Sequence, residues 1–381
     1  MRSERREWEN GRVSGSACPC ESVSVRVCPR GAGRWLWALL SVGGVIAAVA
    51  LATQCTRVQV VNTLAQSRRP DLVWPAGGGP PRVRFVASIR SPDDLFVRRQ
   101  WAGLADIFGG SEDHSFSVPF DVHMGDDDLL LVTDPGKGCV HFMDLRAYRY
   151  RAVSEMGNGS LRQPIGVTED RSGNVYVSDS LLGNVFVFDR QGGFLRPLTR
   201  AGTLQRPADL AWSARTGLLY VVDVTAHQVK VLKTDGSLVG AIGGRGVEPG
   251  KLNFPTHVWV DEQGTIYVTN SLNFSICIFD ASGNFLFSFG QEGDTPGYFT
   301  RPKGVAADRA GHIYVVDAIF DNFQIFDPRG SLLLAVGESG ARDGEFWLPA
   351  GCFVDSRNRI FVADQQNHRV EVFEYVGDDT R

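Results

Sequence analysis

Tyr314-Val315-Val316-Asp317 is one of six copies of a short apolar run that ends in an acid or its amide. The others are Leu131-Val132-Thr133-Asp134, Tyr176-Val177-Ser178-Asp179, Tyr220-Val221-Val222-Asp223, Tyr267-Val268-Thr269-Asn270 and Phe361-Val362-Ala363-Asp364. Their closing residues lie 45, 44, 47, 47 and 47 residues apart. A second marker keeps step with the first: Pro119, Pro164, Pro207, Pro255, Pro302 and Pro349, each about fifteen residues upstream. Two markers holding one phase over six turns indicate a propeller or a solenoid, in which each repeat is a supersecondary unit that buries its faces on its neighbours.

Around each copy the chain spells four strands. An inner strand begins at the proline, as in Ile165-Gly166-Val167-Thr168-Glu169. A glycine-bearing turn such as Arg171-Ser172-Gly173-Asn174 or Glu262-Gln263-Gly264 leads into the Tyr-Val-x-Asp strand, and a hairpin leads on to a third, such as Ile276-Cys277-Ile278-Phe279-Asp280. A second turn (Ala281-Ser282-Gly283-Asn284, Pro328-Arg329-Gly330) precedes an outer strand such as Phe285 to Phe289. These lengths suit antiparallel hairpins. The sixth repeat stops after three strands, at Val370 to Tyr375, while a spare strand stands upstream at Arg82 to Ile89, where Val83, Phe85 and Ala87 alternate with Arg82, Arg84 and Ser88. The economical solution is that the spare completes the last blade and removes the open sheet edges. The expectation is an all-β, six-bladed propeller over residues 82–376, with a tail at 377–381. Ser91-Pro92-Asp93-Asp94 reads as a helix start, and Val97, Trp101, Leu104 and Phe108 fall on one face before Gly109-Gly110, so one short amphipathic helix is expected there.

The chain has 381 residues, 43% hydrophobic and 22% charged, with 43 glycines, which is ordinary globular composition with many turns. Residues 1–81 carry ten Arg and five acids, so the repeat region holds an excess of acids. That argues against nucleic acid as a partner, since a phosphate backbone is held by clustered Lys and Arg. The seven Cys are too scattered for a disulfide framework. Cys277 and Cys352 sit in strand patterns as small buried apolar residues, and Cys18-Pro19-Cys20 lacks the second pair that a zinc site needs.

Upstream of the repeats, residues 1–34 form a long basic lead, with Val25 or Val27 as alternative start positions. Trp35 to Ala52 is an uninterrupted run of apolar or small residues preceded by Arg26, Arg30 and Arg34. It suits a signal peptide or a short membrane anchor, and Ala50-Leu51-Ala52 supplies small residues for a cut. Cys55 departs from a lipobox, because Gln54 precedes it. Residues 53–81, with Pro70, Pro75, Gly77-Gly78-Gly79 and Pro80-Pro81, read as a flexible tether. The location expected is the cell envelope or periplasm, by export, with residues 35–52 as a membrane tether.

Pro164-Ile165-Gly166-Val167, Pro302-Lys303-Gly304-Val305, the glycine turn, the Tyr-Val-x-Asp strand and Asn367-His368-Arg369-Val370 together resemble NHL repeats over about 116–376. With its export-type lead the chain is similar to bacterial cell-envelope propellers of that family. The resemblance implies the six-bladed fold and says little about chemistry, since one fold hosts many functions. In such a blade the residue two after each proline faces the mouth of the central channel. Those positions hold Asp121, Gly166, Asp209, His257, Gly304 and Gly351. The residue just after the proline adds Lys303 and Thr256, Arg162, Arg206 and Arg301 flank the same mouth, and the hairpins offer His227, Asn270, His368 and Arg369.

Two readings follow. The first is a monomeric, non-catalytic binding or scaffold propeller without a cofactor. It recognises a protein or carbohydrate at the proline face through Asp121, Asp209, His257, Lys303, Arg206, Arg301 and Arg369. The alternative is a hydrolase or lyase in which Asp121, Asp209 and His257 act with a divalent zinc or calcium ion, those being the residue types that ligate metals and move protons. Two related enzyme groups test the alternative. Amidating lyases hold a metal through several channel His, where only His257 and with it His123 fit. Lactonase-type propellers hold calcium through a Glu, Asn and Asp set, of which Asn270 and the two channel Asp give a part. No nucleophile elbow, phosphate loop or His-Glu-x-x-His is present. The repeated Asp (134, 179, 223, 317 and 364) is read as structural, accepting backbone N–H bonds at the hairpin.

Overall fold

The structure, a computed structural model, describes residue 64 and residues 69–77, 80–95 and 113–377. The apolar segment 35–52 and the face made by Val97, Trp101, Leu104 and Phe108 lie outside the described residues. Of the expected helix only the 3-10 turn Pro92–Asp94 is described. Its start is fixed by the Asp94 carboxylate, which accepts from the backbone N–H of Arg90 at 2.8 Å and of Ser91 at 3.2 Å.

Six antiparallel sheets form the blades. Blade 1 comprises Val122–Met124, Leu129–Asp134, Cys139–Asp144 and Arg149–Val153. Blades 2 to 5 each begin at a repeat proline: Pro164–Glu169, Pro207–Trp212, Pro255–Val260 and Pro302–Ala307 are their inner strands. Blade 6 takes Pro349–Val354, Arg359–Asp364 and Arg369–Tyr375 from the end of the chain and Val83–Ile89 from its beginning. Val83 pairs with Tyr375 and Ile89 with Val370, so the early strand is the outer strand of the last blade. Each inner strand touches those of its two neighbours, the sixth touching the first, which closes the ring around a channel.

The Tyr-Val-x-Asp strand is buried on both faces, and its period of two explains why. Tyr176 packs toward blade 3, with Leu219 and Val221, while Val175 and Val177 pack toward blade 1, with Leu131 and Phe142. The same division repeats at Tyr220, Tyr267 and Tyr314, so each pair of blades shares one apolar cluster. Each of these side chains contributes about 1.5–3 kcal/mol on burial. The tyrosine hydroxyls are satisfied at the turn after the inner strand, as in Tyr176 to Asp170 at 2.8 Å and Tyr314 to Asp308 at 3.0 Å.

The repeated Asp holds more than its own hairpin. Asp179 accepts from Leu181 and Leu182 in the hairpin at 3.1 and 2.9 Å, and from Arg162 and Gln163 at 2.7 and 3.0 Å in the loop before the proline. Asp317 does the same with Ile319 at 3.0 Å and with Thr300 at 2.8 Å. One side chain, an Asp or in blade 4 Asn270, therefore fixes the loop that leads into each inner strand, and with it the channel wall.

The tether expected over 53–81 is not unstructured to its end. Val73–Trp74 forms a fifth strand on blade 6, with Val73 opposite Arg84. The Trp74 ring meets Phe373 edge-on at 5.5 Å, and a side chain at Gly344 would collide with that indole at 2.7 Å. A sequence rich in Pro and Gly reads as linker, yet Leu72 and Trp74 supply enough apolar surface to dock it.

Candidate functional site

Asp121 of blade 1 and Asp209 of blade 3 come together inside the channel, 5% and 7% exposed, close enough that each acts on the other's ionisation. Gly166, in the blade between them, makes this approach feasible: a Cβ there would lie 2.7 Å from the Asp209 Cα. Gly351 leaves room on the other side, since its Cβ would lie 2.4 Å from Asp121 Oδ1. Each carboxyl also accepts from the next blade, Asp121 from Val167 N–H at 3.0 Å and Asp209 from Val258 N–H at 2.9 Å. Asp209 takes a further bond from its neighbour Leu210 at 2.7 Å. Burial raises Asp121 to about 7. Burial, and then the charge of Asp121, raises Asp209 well above the carboxylate range. Two carboxyls this close retain a proton between them, because both cannot ionise in a buried site. Burial and the same two charges push the Cys352 thiol up.

Aromatic rings narrow the proline end of the channel. Phe120 of blade 1 reaches across it to His257 of blade 4, the rings stacked at 6.0 Å and 5°. Lys303 Nζ lies 5.0 Å from the Phe120 centroid. His257 is buried, and burial followed by the charge of Lys303 pushes it down to about 3, so it is neutral. Arg206 and Arg301 are exposed on the flanks.

The four hairpin expectations at the proline face are corrected. The Arg369 guanidinium is fully buried in blade 6, ion-paired to Asp364 at 2.9 Å and Glu371 at 3.1 Å. It also donates to the carbonyls of Ala341, Arg342 and Glu345. Its role is to hold a loop, not to meet a ligand. His227 accepts from Phe254 N–H at 3.1 Å, and His368 bonds the Ser117 carbonyl, so both fasten the loop that leads into the next blade. Asn270 is buried and accepts from Asn253 N–H at 2.6 Å.

The open space lies at the opposite end. A cavity of about 830 Å³ is bounded by the far halves of the inner strands and the turns that follow them. His123, Trp259 and Phe353 make an aromatic wall, with Phe353 edge-on to His123 at 4.6 Å and to Trp259 at 5.1 Å. Trp212 joins the lining, and Asp121 and Asp209 close its inner end. Asp126, Glu169 and Glu262 bring acids to the rim. Burial, and then the charges of Asp170 and Asp126, raises Glu169 to about 7, and Arg190 stands 3.5 Å from it. Burial lowers His123 to about 4. The indole N–H groups of Trp212 and Trp259 are buried without a partner among the described residues.

The metal alternative does not fit this geometry. Among the described residues no three His, Cys, Asp or Glu side chains converge as ion ligands. Asp121 and Asp209 are turned to each other and to backbone N–H groups, while His257 stands by Phe120.

No family model matches the chain, and no curated protein matches it in sequence. Solved structures do match in shape. A virginiamycin B lyase from Staphylococcus aureus has a TM-score of 0.51 at 12% identity, over 68% of this chain and 96% of that one. An auxiliary nutrient binding protein from Bacteroides thetaiotaomicron has a TM-score of 0.55 at 14% identity, over 68% and 69%. The hydrazine synthase of Kuenenia stuttgartiensis has a TM-score of 0.50 at 14% identity, over 73% and 100%. A lyase, a binding protein and a synthase share this ring, so the likeness establishes a six-bladed propeller and leaves its chemistry open.

Proposed function

We propose that the protein is a non-catalytic, monomeric binding propeller of the cell envelope, tethered through residues 35–52, that takes a carbohydrate in the cavity away from the prolines. The observation that carries this reading is the pairing of an aromatic wall with acids in one concave space of about 830 Å³, a volume within the usual range for small ligands. The C–H faces of a sugar ring are apolar and pack on Trp and Phe rings. Its hydroxyls donate to carboxylates on the rim such as Asp126 and Glu169. Backbone N–H groups and a shared proton already occupy the Asp121–Asp209 pair. That leaves it a clasp of the channel wall rather than an acid and base for turnover. The nutrient binding neighbour supports a ligand-binding role.

Two tryptophans in the lining make the test direct. Titration with a panel of neutral mono- and oligosaccharides is expected to give a saturable change in intrinsic fluorescence, and Trp259→Ala is expected to weaken it by roughly tenfold or more, the loss of one stacking platform. A panel that gives no saturable change rejects the carbohydrate reading. Release of new reducing ends would replace it with the hydrolase alternative.

A further inference from the structure

At the proline end of the channel two polar side chains stand together with their bonding capacity unused. His257 is 2% exposed, and neither of its ring nitrogens has a hydrogen-bond partner among the described residues. Lys303, on the next blade, is half-buried, and the nearest charge acting on it is the like charge of Arg301. Its ammonium rests 5.0 Å from the face of Phe120, the ring that His257 also stacks on. Thr256, which holds in blade 4 the place that Lys303 holds in blade 5, has a buried hydroxyl that also lacks a partner among the described residues. Buried polar groups are normally satisfied, and a half-buried cation normally has a counter-charge. One negatively charged oxygen group would meet both demands.

We propose that Lys303 and His257, walled by Phe120, form a binding site for an oxyanion, a carboxylate or a phosphate group. Lys303 supplies the charge, the neutral His257 ring donates one N–H, and the Thr256 hydroxyl is a third donor. Arg206 and Arg301, exposed around the mouth, draw anions toward it. The ammonium–ring contact stabilises Lys303 while the site is empty. The site is separated from the cavity at the other end by the Asp121–Asp209 clasp, so it stands whether or not that cavity takes a sugar.

The test is calorimetric titration of the full-length protein at neutral pH and constant ionic strength, with inorganic phosphate in one arm and acetate in the other. Saturable binding is expected in at least one arm, and the stronger arm identifies the oxyanion. Lys303→Met is expected to weaken it by roughly tenfold or more, while Lys303→Arg keeps most of it. Wild-type binding is also expected to fall as pH rises past about 8, where Lys303, lowered by burial and then by Arg301, loses its proton. This second measurement needs no variant. Flat titrations in both arms, equal affinity in Lys303→Met, or affinity unchanged through that pH range would each overturn the assignment.

Discussion

The closure of the ring makes a strong demand on one side chain. Phe85 lies in the early strand, 1% exposed, within the cluster shared by blades 5 and 6. Its ring stands edge-on to Phe373 at 5.7 Å and 83°. Deleting the strand would be a poor test, because the lost burial is offset by the entropy regained on freeing seven residues. Phe85→Ala leaves that entropy almost unchanged and removes only the packing. Truncating a buried Phe costs about 3–5 kcal/mol, a large part of the roughly 5–15 kcal/mol that holds a domain together. Leu286 provides the control. It sits in an outer strand too, that of blade 4, but is 53% exposed, so Leu286→Ala should cost no more than about 0.5 kcal/mol. Urea unfolding followed by circular dichroism measures both. If Phe85→Ala loses less than about 1 kcal/mol, or no more than Leu286→Ala, the early strand does not seal the last blade.

Two further outcomes concern the clasp. Folded Asp121 keeps a proton that an ordinary carboxyl releases near 4, its value being raised to about 7, and Asp209 beside it is raised as well. Its contribution to stability is therefore full below about pH 4 and is lost as pH rises toward about 7, at about 1.4 kcal/mol per pH unit for one proton. Asp121→Asn removes one of the two raised carboxyls and leaves Asp209, raised first by its own burial, so the wild-type minus variant difference in unfolding free energy should fall across this window; a flat difference contradicts a raised Asp121. Gly166→Ala pushes a methyl against the Asp209 Cα and the Ala208 carbonyl, at 2.7 and 2.9 Å, and should cost about 1–3 kcal/mol or more. Gly240→Ala, which meets nothing within 4 Å, should be neutral or stabilising; equal effects of the two would mean that the channel wall is not tightly packed at Gly166.

Most of the ring is legible in the sequence because its determinants are local and repeated. The Tyr-Val-x-Asp alternation specifies a strand buried on both faces, the proline marks the inner strand, and a count of strands exposes the missing one that Val83–Ile89 supplies. The site is less legible, for an identifiable reason. The rule that places Pro-plus-two residues at the channel points to Asp121 and Asp209, which the fold brings together, but it carries no information on which end holds the open space. That depends on Phe120, which as an isolated aromatic beside a proline reads like any strand residue, and on its stacking with His257 from the blade opposite. The cavity wall is hidden in the same way. His123, Trp259 and Phe353 all lie four residues after their prolines, a regularity that could have been extracted, yet aromatic residues in a strand are usually packed against a neighbouring sheet. The hairpin residues mislead in the other direction: Arg369, His227 and His368 are polar and sit at turns, but Arg369 binds a carbonyl in its own blade's entry loop and the two His bind backbone groups of the next blade's entry loop, all 27 or more residues away. Polarity in a repeat thus has two uses, fastening the ring and meeting a ligand, and only the unpartnered groups distinguish them. By that criterion, among the described residues, Trp212 and Trp259 at one end of the channel and His257 at the other stand out as ring groups of the inner strands with no hydrogen-bond partner.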